Sequence, residues 1–263
     1  MNIVRFKLWD YFKYARLLRF SLGSLCTNYF LKVICEDKDI MLWEIDYAAN
    51  KEAYIKNITH VNYNRDFNGN NKINSEFNID KFIYETKENE GTNLNIYGFT
   101  KKASNIIMSL DLKNFSKEES SDLEFRKFIK GQDEKLRCDI QNKIFHEENR
   151  IPLKPKDIVY ECSRKAFLPN LSFFAVKNDE ILGYGQILIL KGKHTVANFG
   201  IVEEFRGKGY GEKLIIHILN KGKEMGLEEV YIKVKSDNIK ALNLYKKMGF
   251  KEFSEVKIYE LLS

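Results

Sequence analysis

Apolar residues recur at threes and fours near the start of the chain, at Leu8, Phe12, Ala15, Leu18, Leu22 and Leu25. That spacing predicts a largely helical segment over residues 6–34. Lys7, Lys13, Arg16 and Arg19 lie between these positions, with further aromatics at Phe6, Trp9, Tyr11, Tyr14 and Phe20. The helix therefore reads either as a core-packing element or as an aromatic-basic face for a membrane surface or a partner. Residues 39–48 carry a strand pattern, and residues 79–85, 93–98 and 105–112 are shorter strand-like runs. Residues 62–78 are dense in Asn, with a turn at Asn68-Gly69-Asn70-Asn71, and predict an exposed loop. Ser116 to Asp122 holds no apolar residue and predicts a linker between domains at 1–120 and 123–263.

From residue 123 the pattern is regular. Strands are expected at 123–129, 171–177, 181–190, 194–202, 230–235, 250–254 and 255–262. Helices are expected at 133–145, 156–167, 212–225 and 238–248. Turns fall at Asn178-Asp179 and Gly192-Lys193, Asn238 is placed to cap the last helix, and Gly226 and Gly249 sit where helices end.

Composition narrows the classes. A hydrophobic fraction of 44% over 263 residues is enough for one large core or two ordinary ones. The net charge of +6 lies in the second half, a mild field that suits an anionic ligand; no clustered basic face argues for nucleic acid. Cys26, Cys35, Cys138 and Cys162 form no metal-ligand spacing, so no metal is expected and the thiols read as reduced and mostly buried. Arg16, Arg19 and Lys32 interrupt the early apolar stretch, which is thus read as neither a signal peptide nor a transmembrane segment. The expected location is cytoplasmic.

The chemistry concentrates between Asn198 and Gly211. An apolar strand end runs into three glycines in five residues, Gly207, Gly209 and Gly211, and then into a helix. Such a turn exposes the free amides of a helix start, where the dipole favours an anion, and glycine lets the backbone come close. Arg206-Gly207-Lys208-Gly209-Tyr210-Gly211 resembles the acyl-CoA-binding motif Arg/Gln-x-x-Gly-x-Gly/Ala of the GNAT superfamily of N-acetyltransferases. A second block, Asn238 to Phe250, resembles that family's Asn-x-x-Ala-x-x-x-Tyr-x-x-x-Gly-Phe. Both occur in the family's order, with a helix and a strand between them.

The resemblance implies an α+β protein whose C-terminal half is a GNAT fold, a mixed central sheet flanked by helices. Asn149 to Ile158 further resembles a stretch of two-domain GNAT proteins, so residues 1–120 are expected to be a degenerate GNAT-like half or a separate small α+β domain. Acetyl-CoA is the implied cofactor. Residues 207–212, including Lys208, Tyr210 and Glu212, would hold its pyrophosphate beside Arg206. Gly200, Ile201 and Val202 would pair with the pantetheine arm. Asn238 would contact the cofactor, and Tyr245 would both touch it and donate a proton to the leaving thiolate. A glutamate base of the family is replaced by Lys233, and the other usual position, near Ala197 or Asn198, is also lost. Glu203 and Glu204 at the strand end and His194 at its start remain as candidates, with the two glutamates preferred, while His217 is expected at the surface of its helix.

The implied activity is direct acetyl transfer to a primary amine of a small molecule or peptide. The competing readings are a non-catalytic acyl-CoA-binding module and an N-terminal interaction domain. A homodimer is left open.

Overall fold

The computed structural model describes residues 1–7, 29–35, 40–47, 51–62, 74–75, 77–87, 94–119, 122–146 and 152–263. The chain divides into two compact units, residues 1–105 with 254–263, and residues 106–253.

In the first unit, strands β1 (Asn2–Arg5), β2 (Tyr29–Ile34), β3 (Ile40–Tyr47), β4 (Glu52–Asn62), β5 (Asn74–Ser75), β6 (Lys81–Lys87) and the last strand of the chain, Lys251–Leu262, lie in the order β5-β1-β2-β3-β4-β6-last. Trp43, fully buried, meets Phe82 and Phe99 at 5.3 and 5.6 Å between ring centroids and anchors this core.

Several expectations are corrected here. Residues 29–34 are strand, because Leu31 and Val33 alternate inward in a β-branched and aromatic run; residues 8–28 of the expected helix lie outside the described residues. Leu94–Tyr97 is one 3-10 turn and not a strand; its three-residue repeat sets Leu94 and Tyr97 on one buried face. β4 has no counterpart in the sequence reading. The two final strands are one, since nothing between Ser254 and Glu255 breaks an extended backbone. Of the expected Asn-rich loop, residues 63–73 and 76 lie outside the described residues.

The second unit holds β7 (Thr100–Asp111) from Ile106 on, β8 (Glu124–Lys127), β9 (Phe167–Lys177), β10 (Glu180–Leu190), β11 (Lys193–Ile201) and β12 (Glu229–Lys235), ordered β7-β12-β11-β10-β9-β8. The last strand, β13, starts in this unit and ends in the first. Asn178 and Asp179 both take positive φ, as do Lys191 and Gly192, which gives β9-β10 and β10-β11 tight hairpins. One sheet face packs on α1 (Glu134–Ile144) and α2 (Pro155–Ser163) through Phe128, Ile140, Ile158 and Phe174. The other packs on α3 (Tyr210–Glu224) and α4 (Ile239–Met248) through Ile187, Val196, Leu214, Ile218, Ile232 and Leu242.

The polar run taken for a linker begins as a strap on α3. Asn220 Nδ2 donates to the Lys117 carbonyl at 3.0 Å, and Lys223 Nζ to that of Phe115 at 2.7 Å. The compact division accordingly falls earlier, between Asn105 and Ile106.

Candidate active site

β11 and β12 run parallel and pair through Thr195↔Tyr231 and Val196↔Ile232, at the start of β11. Two residues later β11 bulges. Tyr184 faces Gly200 but Gln186 faces Ala197, so Asn198 and Phe199 together oppose Gly185. Asn198 takes φ +52°, a left-handed conformation that asparagine tolerates well. A Cβ on Gly185 would come within 2.7 Å of Ile218 Cδ1, and one on Gly200 within 2.3 Å of Ile144 Cγ2. Both glycines are thus required for closeness. The bulge bends β11 away from β12 and opens the sheet.

A cleft of about 700 Å³ lies at this opening. Past Val202 the chain makes a 3-10 turn at Glu203–Phe205, passes through Gly207 at φ +78° and Gly209 at φ +77°, and starts α3 at Tyr210. Space around both glycines is open: a Cβ there would meet nothing within 4 Å. The Lys213 amide donates to the Gly209 carbonyl at 3.3 Å, which leaves the amides of residues 210–212 as the unpaired first turn. Glycine-permitted backbone, open space and aimed amides fit a phosphate group.

Of the sequence-predicted residues, Gly200, Ile201, Glu203, Arg206, Gly207, Gly209, Tyr210, Gly211, Asn238 and Tyr245 line the cleft, while Val202, Glu204, Lys208 and Glu212 do not. Val202 is buried in the core under α1 and α2. Lys208 is exposed, with Nζ 5.6 Å from the Phe205 ring. Glu212 is paired with Lys247 at 2.6 Å. Arg206 is held in place by two backbone carbonyls. Its Nε donates to the Ile201 carbonyl at 2.9 Å and its Nη2 to the Ile144 carbonyl at 2.6 Å, tying the last turn of α1 to the end of β11. Lys143, His146 and Lys240, unforeseen in the sequence, add basic side chains to the wall.

Tyr245 is buried on α4 between Phe199 and Phe250, at 6.3 and 5.9 Å between centroids. Burial pushes its phenol well above the usual tyrosine value, so it stays protonated as a donor. Asn238 caps α4, its Oδ1 accepting from the Ala241 amide at 3.1 Å.

The structure also brings together a polar cluster that the sequence reading missed, on the face of α1 and α2. Arg137, wholly buried, donates through Nη2 to Glu161 Oε1 at 2.6 Å and through Nε to Gln141 Oε1 at 2.7 Å, and lies 4.9 Å from the Tyr184 ring. Gln186 Nε2 donates to the same Glu161 oxygen at 2.8 Å, and Tyr184 Oη donates to Gln186 Oε1 at 2.7 Å. Asn198 Nδ2, at the bulge, lies 3.4 Å from Glu161 Oε2. A signal existed: Arg137 and Gln141 share the stripe of Ile140 and Ile144, and Glu161 lies three residues from Ile158.

Cys138 and Cys162 are free thiols whose burial raises them above the ordinary value, and Cys35 is buried; Cys26 lies outside the described residues. His217 is not at the surface as expected but buried, stacked on Phe125 at 4.2 Å and bonded through Nδ1 to Glu119 at 2.9 Å.

A sheet opened at a bulge over a glycine-rich helix start, with two helices before it and a tyrosine-bearing helix after it, defines the GNAT fold. Residues 138–250 match the model of the acetyltransferase (GNAT) family, and this part of the chain is a domain of that family. The chain is 33% identical over 88 residues to an uncharacterized N-acetyltransferase, YobR, of Bacillus subtilis, covering 33% of this chain and 36% of that one. It is 33% identical over 102 residues to an N-alpha-acetyltransferase of Sulfurisphaera tokodaii, covering 34% and 61%. The chain thus spans less than two thirds of either relative. A GCN5-related N-acetyltransferase structure from Sphaerobacter thermophilus aligns with a TM-score of 0.67 at 15% identity, covering 89% of this chain and 80% of that one, a likeness of fold.

Proposed function

We propose that the chain transfers an acetyl group directly from acetyl-CoA to a primary amine, within one complex of protein and both substrates. The observation that carries this reading is the cleft itself, lined by the open glycines of a helix start and by a buried, protonated Tyr245. The amides of residues 210–212 would hold the cofactor's pyrophosphate, and the β11 backbone at Gly200 and Ile201 its pantetheine arm. The neutral amine attacks the thioester carbonyl, the C–N bond forms and the C–S bond breaks. Tyr245 protonates the leaving sulfur. The acceptor's ammonium nitrogen gives up two protons in all; one replaces the Tyr245 proton and the other leaves to water. The N-alpha-acetyltransferase relative favours a peptide N-terminus as acceptor.

Glu203 reaches the cleft wall beside the glycine turn, where the phosphates are proposed to sit, so neither it nor Glu204 is proposed as the base. The test is acetyl-CoA binding and turnover. Acetyl-CoA at 100 times its Kd should stabilise the protein by ~2.7 kcal/mol, and Gly209→Asp, strained at φ +77° and placing a carboxylate at the phosphate end, should abolish the rise in melting temperature. A rise retained by Gly209→Asp would remove the glycine turn from the site.

A further inference from the structure

We infer that Glu161 receives the acceptor's ammonium group, an assignment that rests on the transferase reading. The two oxygens of this carboxylate are treated differently. Oε1 takes short bonds from Arg137 at 2.6 Å and Gln186 at 2.8 Å. Oε2 takes a long contact from Asn198 at 3.4 Å, and the side chain is 32% exposed. Arg–carboxylate pairs are frequently bidentate, but Arg137 takes only one of these two oxygens. Here one oxygen anchors the group and the other is presented toward β11 with lone pairs to spare.

The position matters as much as the geometry. Asn198 and Phe199 are the two residues of the bulge, and they look in different directions. Asn198 contacts Glu161, whereas the Phe199 ring packs 6.3 Å from that of Tyr245. The bulge therefore joins a fixed anion to the proton donor. Arg137, Gln141, Tyr184 and Gln186 hold the anion from behind, so no rotamer freedom is lost when a cation arrives. The acceptors selected are amines that dock as cations, with the nitrogen's remaining protons aimed at Oε2.

The experiment compares wild type with Glu161→Gln, using acetyl-CoA with an alanine-initiated hexapeptide and with n-butylamine, and follows thiol release. Glutamine retains a carbonyl for Arg137 and Gln186 but loses the charge. The acceptor KM should rise about 10-fold or more, as for a lost charge-assisted hydrogen bond, with kcat and the acetyl-CoA KM little changed. An unchanged acceptor KM overturns the assignment. So does a fall in kcat at constant KM with a displaced pH profile, which would make Glu161 the base. Should Glu161→Gln fail to fold, Asn198→Asp keeps a residue type that accepts the left-handed backbone and adds a second carboxylate beside Oε2; it should lower the acceptor KM, and an unaltered KM overturns the assignment. Wild type that binds acetyl-CoA yet acetylates neither amine brings down the transferase reading itself, whereas wild-type transfer with KM unmoved in the variants brings down only Glu161.

Discussion

At the scale of single residues, Tyr245 and Gly200 carry the sharpest expectations. Tyr245→Phe keeps the ring between Phe199 and Phe250 and removes only the hydroxyl. Its kcat should fall by about 100-fold, the lower weight of a general acid, with acetyl-CoA binding retained. A steady-state comparison at saturating acetyl-CoA checks this, and an unaltered kcat excludes the phenol as donor. Gly200→Ala places a Cβ against Ile144 Cγ2. Overpacking of that kind costs about 1–3 kcal/mol, so the melting temperature should drop. Combined with Ile144→Ala, the loss should be smaller than the sum of the two single losses; strict additivity would show that the strain lies elsewhere. The glycine motif and the tyrosine were legible because backbone conformation and helix spacing are written locally. Glu161 was not, because its meaning depends on Arg137, Gln186 and Asn198, which come from three other elements.

At the scale of elements, the strap on α3 predicts a pH dependence. His217 Nδ1 bonds Glu119, while Nε2 is buried with no hydrogen-bond partner. The ring is therefore neutral, with the proton on Nδ1. Burial pulls its pKa below 6.5, opposed by Glu119 and Glu224 and aided by Lys221. Burial pushes the Glu119 carboxyl up, but His217, Asn220 and Lys221 outweigh it and leave it below its ordinary value. Both depressed groups act with the same sign. Their contribution is present above pH 6.5, and acidification removes it as protons bind His217 and Glu119. The protection factors of the 112–119 amides, which allow for the slower intrinsic exchange in acid, should fall between pH 7 and 5 in wild type, and a His217→Phe variant should show a flatter profile; equal profiles would exclude the histidine. The sequence suggested an exposed linker here because the run lacks apolar residues. It could not show that polar side chains of α3 would bind the carbonyls of Lys117 within that run and of Phe115 just before it. Likewise the helical spacing near the N-terminus extended too far, over residues 29–34, because threes and fours also occur by chance in a strand whose alternate residues are apolar.

At the scale of the whole molecule, the C-terminal fold was readable from 123 onward because hairpin turns and helix caps punctuate it. The N-terminal unit was not, since short strands of mixed pattern acquire their identity from neighbours far along the chain. Its strand β6 pairs with the last strand from Leu262↔Lys81 to Val256↔Lys87, and Leu261 enters the Trp43 core. That pairing has a consequence for birth on the ribosome. The inner flank of β6 and the socket for Leu261 must wait, uncovered, while all of residues 106–253 are synthesised. The unit of residues 106–253 can close first, and the half begun first is the last to be sealed.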